Sequence, residues 1–194
     1  MKMMKFIKSM SSKEPLNMKT LAPGIEVFEN NFPRWKEVID QAERSSAWVK
    51  AGIRGTDFDA KLRDNELHLL DANSELNKLL LEHYIAAVSE YKKRYTGVVV
   101  NNLEPLQIAR YEVGGHYTVH TDAMGKAGGD RVVSSVLYLN DDYEGGELYF
   151  PLFDVTYKPD AGSLVLFPSY YTYEHGAKPI KKGTKYCVLA WYKT

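Results

Sequence analysis

The sequence predicts a mainly β protein, α+β overall, built as a jelly roll or sandwich with helices packed on one outer face. Three observations lead there. From residue 98 onward, short apolar or alternating runs recur at 98–100, 106–113, 132–139, 147–153, 163–167 and 185–192. Gly-Gly, Asn-Asp, Pro-Asp and Lys-Gly pairs punctuate them as turns. Helical periodicity is confined to the first half, which gathers the helices on one side of the sheets. No thirty-residue βαβ pattern and no glycine-rich phosphate loop between strand and helix interrupts this reading.

The elements follow in order. Residues 1–22, punctuated by Pro15 and Pro23-Gly24, read as a flexible arm. A single domain then covers 23–194, with the jelly-roll core mainly in 98–193. Ile25 to Phe28 reads as the first strand. After Pro33, the residues Trp35, Val38, Ile39 and Ala42 repeat on one face of a helix that runs to roughly Arg44. Segment 48–66 is polar, contains Gly52 and Gly55, and reads as a surface loop or a flap over substrate. Asn73 or Ser74 then caps a second helix, whose apolar stripe includes Leu76, Leu80, Tyr84, Ala87, Val88 and Tyr91. His83 lies beside that stripe and reads as structural. Lys92-Lys93-Arg94 supplies a basic last turn that suits a helix C-terminus.

Composition narrows the class. The chain has 194 residues, with 25 basic and 25 acidic side chains and a formal charge of zero. It lacks the broad positive surface that nucleic-acid binding needs, so no nucleic-acid partner is expected. No run reaches the length of a membrane span, and no apolar signal core follows the first residues. A cytoplasmic or otherwise intracellular protein with no membrane partner is expected, as a monomer or weak homodimer. The single Cys187 excludes an internal disulfide and reads as a small buried residue in a strand. A chain this long buries roughly 70% of its extended surface, so any bound metal is functional and not a structural prop.

The candidate chemistry sits in two segments. His120 and Asp122 are two apart, which in an extended chain puts both on one face. His175 must come from another strand, since 53 residues separate it from Asp122. Two imidazoles and one carboxylate favour non-haem Fe(II) and leave coordination sites open. An isolated His-x-Asp is common by chance. His116, four residues before His120, reads as a turn or rim residue. Lys185 shares a strand face with Cys187, Leu189 and Trp191, which look interior. A lysine buried there needs an anion; snorkelling to solvent is the alternative.

The segments RYEVGGHYTVHTDA, RVVSSVLYLND, EGGELYFP, YKPDAGSLVLFPS, YEHGAKPI and GTKYCVLAW resemble, in order and spacing, the prolyl 4-hydroxylase branch of the 2-oxoglutarate- and Fe(II)-dependent dioxygenases. The resemblance covers roughly residues 98–193. It implies a double-stranded β-helix with the metal at one open end. It implies His120, Asp122 and His175 as iron ligands and Lys185 as the residue that meets the C5 carboxylate of 2-oxoglutarate. Dioxygen is the second cosubstrate it implies, and ascorbate the reductant. Tyr111 and Tyr117 become candidates for the cosubstrate or substrate channel, with aromatic packing the alternative. Ser134 becomes a candidate for holding the C5 carboxylate, or a small core residue. Trp191 becomes a candidate wall of the cosubstrate pocket.

The intact Asp122 favours hydroxylation over halogenation. Peptidyl proline is the substrate class the resemblance implies, so a protein or peptide partner is expected; a free amino acid or other small molecule is the alternative. Tyr170, Tyr171, Tyr173 and Trp48 suggest an aromatic mouth. Segments 48–66 and 139–144 are expected to contact substrate. The rival class is a non-enzymatic jelly-roll binding protein.

Overall fold

The computed structural model describes residues 16–52, 59–123 and 129–194. In chain order the elements are β1 (Met18–Ala22), β2 (Ile25–Phe28), α1 (Trp35–Glu43), β3 (Val49–Lys50), β4 (Arg63–Asp64), β5 (Glu66–Leu69) and α2 (Glu75–Arg94). Then come β6 (Asn102–Leu103), β7 (Gln107–Tyr111), β8 (His116–His120), β9 (Arg131–Tyr138), β10 (Glu144–Gly145), β11 (Leu148–Phe150) and β12 (Val155–Tyr157). The last are β13 (Leu164–Pro168), β14 (His175–Ala177), β15 (Ile180–Lys182) and β16 (Lys185–Lys193).

Two antiparallel sheets face each other. The larger runs β1-β2-β13-β9-β16-β7-β5-β3, with β6 also on β16; the smaller runs β12-β11-β14-β8-β4. A two-stranded ribbon, β10-β15, closes one end. This is the expected double-stranded β-helix.

The central strands of the larger sheet are buried on both sides, and their sequences show why. In β13, Leu164 and Leu166 join the core under the helices, while Val165 and Phe167 join the core between the sheets. Such a strand reads as a continuous apolar run, not as an alternation. In β16, Val188, Ala190 and Tyr192 face the helices. Helix α2 begins where the Ser74 side chain accepts a hydrogen bond from the Asn77 N–H. It presents Leu80, Tyr84, Ala87 and Val88 to the sheet. A fully buried leucine such as Leu80 stabilises by about 1.5–3 kcal/mol. The Tyr84 hydroxyl donates to the Val188 carbonyl at 2.8 Å, and the Tyr192 hydroxyl donates to the Tyr84 carbonyl at 2.7 Å. These two bonds clip the helix to β16. Among the described residues, no helix is long and apolar enough to cross a membrane.

Three expectations change. The arm was expected over 1–22, yet Met18–Ala22 pairs with β2 as an edge strand, held through Thr20 opposite Glu26. Residues 1–15 of that arm, and 53–58 of the expected flap, lie outside the described residues. Segment 48–66 is not a plain loop, because its ends form β3, β4 and the start of β5. The 139–144 turn, expected to be mobile, is tied into the fold by side-chain hydrogen bonds. The Asn140 side chain donates to the Thr184 carbonyl and the Lys158 ammonium donates to the carbonyls of Asp141 and Tyr143.

Candidate active site

A cavity of about 720 Å³ opens between the two sheets. Strands β8 and β14 pair with His175 directly opposite His120. Asp122 lies just past the end of β8, in a turn held by one carbonyl. The Ser169 oxygen accepts from the Thr121 hydroxyl at 2.7 Å and from the Ala123 N–H at 2.9 Å. The potential ligand atoms of His120, Asp122 and His175 all lie within 4.8 Å of one another. Each Asp122 oxygen faces one histidine, at 3.6 Å from His120 Nε2 and 3.5 Å from His175 Nε2.

The surroundings orient these groups. His120 Nδ1 lies 2.8 Å from the Thr118 carbonyl and His175 Nδ1 lies 3.1 Å from the Tyr173 carbonyl. Each Nδ1 therefore donates to its carbonyl, which turns Nε2 toward the carboxylate. The Ser134 hydroxyl donates to Asp122 Oδ2 at 2.6 Å and sits 2.8 Å from the Ser169 hydroxyl. Phe167 and Phe150 wall His175, with ring centroids 4.5 and 5.7 Å away. Burial, then the neighbouring His120, push the His175 imidazole down to about 4. Burial alone would raise the Asp122 carboxyl, but His175, His120 and Ser134 outweigh it and hold it below the usual carboxylate range. Two imidazoles beside an ionised carboxylate are the donor types a divalent metal needs.

Gly176 lets the histidine strands close up. A Cβ there would lie 2.6 Å from the Tyr149 ring and 2.9 Å from the Tyr117 carbonyl. Only a glycine allows β14 this close to β8.

Lys185 lies at the other end of the cavity, 2% exposed. Its ammonium donates to the Gly146 carbonyl at 2.9 Å and lies 4.8 and 5.2 Å from the ring centroids of Tyr111 and Tyr138. No carboxylate forms an ion pair with it among the described residues, and burial lowers its pKa against the weaker opposing pull of Cys187 and Glu147. The snorkelling alternative does not hold, since the ammonium is enclosed by backbone and rings. An anionic ligand is the partner this group lacks.

The other candidates divide. Tyr111 pairs in register with Lys185 and belongs to the same end of the cavity. The Tyr117 ring stacks on His120 at 3.5 Å. Ser134 does not meet the distal carboxylate. It pairs with Trp191, six residues along β16 from Lys185, roughly 20 Å at the usual strand rise. Its hydroxyl orients Asp122 instead. Trp191 lines the cavity at that same end, under the Arg131 guanidinium at 3.8 Å, and not at the Lys185 end. Arg131 is itself paired with Glu104. His116 makes backbone contacts and is not in the donor cluster.

None of the four aromatic residues expected at the mouth lines the cavity. Tyr173 stacks on Phe153 and donates to the Pro23 carbonyl; Tyr170, Tyr171 and Tyr173 do not line the cavity. Trp48 packs against the helix core beneath Arg110. Val49, Leu62, Arg63, Tyr117 and Val119 border the opening in their place.

Tyr138 and Arg63 line the cavity although neither was a candidate by itself; Arg63 falls within the 48–66 segment expected to contact substrate. Tyr138 stands four residues past Ser134 on β9, on the same inward face, so counting by twos from Ser134 finds it. Arg63 had no such signal, because its two-residue strand is too short to show a period.

The sequence profile of the 2OG-Fe(II) oxygenase superfamily matches residues 106–193. A PKHD-type hydroxylase from Crocosphaera subtropica is 39% identical over 98 residues, which cover 46% of this chain and 43% of that protein. A putative prolyl 4-hydroxylase of Acanthamoeba polyphaga mimivirus is 25% identical over 159 residues, covering 73% of this chain and 62% of that one. The chain thus spans about half the length of these curated relatives. Among solved structures, a Trichoplax adhaerens prolyl hydroxylase in complex with a hypoxia inducible factor peptide fragment shares the fold. Its TM-score is 0.77 at 20% identity, over 88% of this chain and 83% of that one. Profile and relatives match the segment that carries the histidines, the aspartate and the lysine: over residues 106–193 the chain is similar to the 2OG-Fe(II) oxygenase superfamily, and it shares its fold with a prolyl hydroxylase.

Proposed function

We propose that the protein is an Fe(II)- and 2-oxoglutarate-dependent dioxygenase that hydroxylates a prolyl residue within a peptide. One observation carries the first half: a single cavity holds both the His120–Asp122–His175 donor cluster and a buried lysine that forms no ion pair with a carboxylate among the described residues. A structural metal site would not need the lysine, and a simple binding cavity would not need the donor cluster. The named relatives support the prolyl half, together with an opening bordered by exposed apolar side chains, Val49 at 61% and Leu62 at 45%.

The residues present fit both groups. When bound, iron and 2-oxoglutarate supply the oxidation of a C–H bond by dioxygen, with the cosubstrate converted to succinate and carbon dioxide. His120, Asp122 and His175 hold the metal on one side and leave the cavity side open. Ser134 fixes the Asp122 carboxylate by donating to one oxygen, which keeps the other available. Lys185 binds the distal carboxylate as a point charge, and the Tyr111 and Tyr138 rings keep water from it. Ascorbate would be the reductant that keeps such a metal ferrous.

The test combines spectroscopy with mass spectrometry. Anaerobic addition of Fe(II) and 2-oxoglutarate should give the weak visible charge-transfer band of the chelate, lost in His175→Ala. Prolyl peptides, free proline and a metabolite mixture are then compared with Fe(II), 2-oxoglutarate, ascorbate and oxygen. One added oxygen on peptidyl proline, dependent on His120 and Lys185, is the expected result. Oxidation of a free metabolite with every prolyl peptide untouched sinks the substrate assignment. Absence of both the band and cosubstrate turnover returns the protein to the binding-module class.

A further inference from the structure

We propose that Arg63 and Tyr117 form a carboxylate-binding subsite at the cavity mouth, so that the enzyme selects substrates with an acidic group within about one residue of the oxidised atom. This rests on the function proposed above and narrows its substrate class.

Arg63 is 8% exposed and lines the cavity. Strand β4 pairs with β8 so that Arg63 stands opposite Tyr117. The guanidinium lies 4.6 Å from the Tyr117 ring centroid, and that ring stacks on His120 at 3.5 Å with planes 16° apart. Arginine, tyrosine and the first metal-binding histidine therefore form one short stack. A group held by Arg63 sits within one residue's reach of the reacting position.

The partners of Arg63 are all neutral. Nε donates to the Asn65 side-chain oxygen at 2.7 Å, and one terminal nitrogen donates to the Gly52 carbonyl at 3.3 Å. No carboxylate pairs with it among the described residues. Its neighbours differ: Arg131 is paired with Glu104, Arg110 with Glu43 and Glu66, and Lys50 with Asp64. Charged side chains this buried are normally paired, because removing a charge from water without a counter-ion is costly. A fixed guanidinium also presents a planar fork that matches a carboxylate in two bonds.

The test measures binding to the Fe(II)–2-oxoglutarate holoenzyme without oxygen, by calorimetry. The probes are matched pairs: prolyl peptides with Glu or Gln next to proline on either side, prolyl peptides ending in a free or amidated C-terminus, and free proline against prolinamide. At least one carboxylate member should bind tenfold or more tighter than its neutral twin, with a ratio that shrinks as salt rises. Arg63→Gln should bring that ratio within twofold while keeping 2-oxoglutarate affinity. Arg63→Lys should retain part of it. Arg63→Glu should favour a peptide with Lys in place of Glu. Equal affinity within every pair, or no measurable binding of either member, overturns the subsite, as does a preserved ratio in Arg63→Gln. Should the glutamine variant fail to fold, the wild-type ratio and its salt dependence decide alone. A preference confined to the proline–prolinamide pair keeps the subsite and sinks the peptide reading. Prolyl hydroxylation with no acid preference does the reverse.

Discussion

Replacing Lys185 with methionine removes a buried charge while keeping nearly the same side-chain length. In the wild-type protein the ammonium is 2% exposed and has one hydrogen-bond acceptor, the Gly146 carbonyl, beside two aromatic rings. Methionine abolishes the desolvation cost of that charge, which is several kcal/mol for a buried ion. It also strands the Gly146 carbonyl, at about 1–3 kcal/mol. The difference favours the variant by about 1 kcal/mol, a Tm rise of about 2–4 °C for a chain of this size. Cosubstrate binding moves the opposite way. A charge-assisted bond contributes about 1.5–3 kcal/mol, and the abandoned carboxylate of the ligand adds its own desolvation. The loss should reach about 3 kcal/mol, or roughly 100-fold in the 2-oxoglutarate dissociation constant. Calorimetric melts of the metal-free protein and anaerobic titration of the charge-transfer band measure the two effects. A Tm that falls while 2-oxoglutarate affinity stays unchanged would show that Lys185 is a structural residue and refute the assignment.

Other perturbations probe the donor cluster. Ser134→Ala frees Asp122 Oδ2 and should weaken Fe(II) binding by about 10–100-fold with little change in fold; unchanged affinity in a metal titration would remove Ser134 from the site. Gly176→Ala drives a methyl into the Tyr149 ring and the Tyr117 carbonyl, and should cost about 1–3 kcal/mol in urea melts together with metal affinity. Full stability there would mean β14 can shift without cost. In the metal-free protein the His175 pKa is depressed to about 4, below its ordinary value, so the unfolded chain takes up the proton first. The corresponding stability is complete above about pH 6.5 and is lost as pH falls toward 4, by about 2–3 kcal/mol between pH 7 and 4.5. Urea melts that show the same slope in wild type and His175→Ala over that window would contradict it.

The parts of the site that follow local periodicity were legible in the sequence. Lys185 was assigned to the inward face of its strand by counting in twos, and Cys187, Leu189 and Trp191 line the cavity with it. The His120-x-Asp122 spacing and the distant His175 are visible in the sequence, and the β8–β14 register brings His175 opposite His120. Distances across strands were not legible. Ser134 could be matched to a family position, but only the β9–β16 register reveals that it stands opposite Trp191, far from Lys185. Strands β4 and β5 were hidden for another reason. Arg63–Asp64 and Glu66–Leu69 are polar or short, and each forms because a neighbouring strand accepts its hydrogen bonds. The tyrosines before His175 misled because aromatic content says nothing about direction: Tyr173 turns outward to Phe153 and Pro23.

The two ends of the cavity are built on unequal foundations. Lys185 and Tyr111 stand on β16 and β7, which have sheet neighbours on both sides, and α2 clamps β16 from behind. Val49 and Arg63 stand on β3 and β4, two-residue strands that end their sheets and each pair with one neighbour. A change at β16 must be accommodated by three layers at once, whereas a change at the rim disturbs one ladder. Altered substrate preference should therefore be reachable by recombining short stretches around residues 49–50 and 62–64 between related enzymes, with iron and cosubstrate affinities carried over intact. Exchanges of β16 should need matching exchanges in α2, such as at Tyr84, before the hybrid folds.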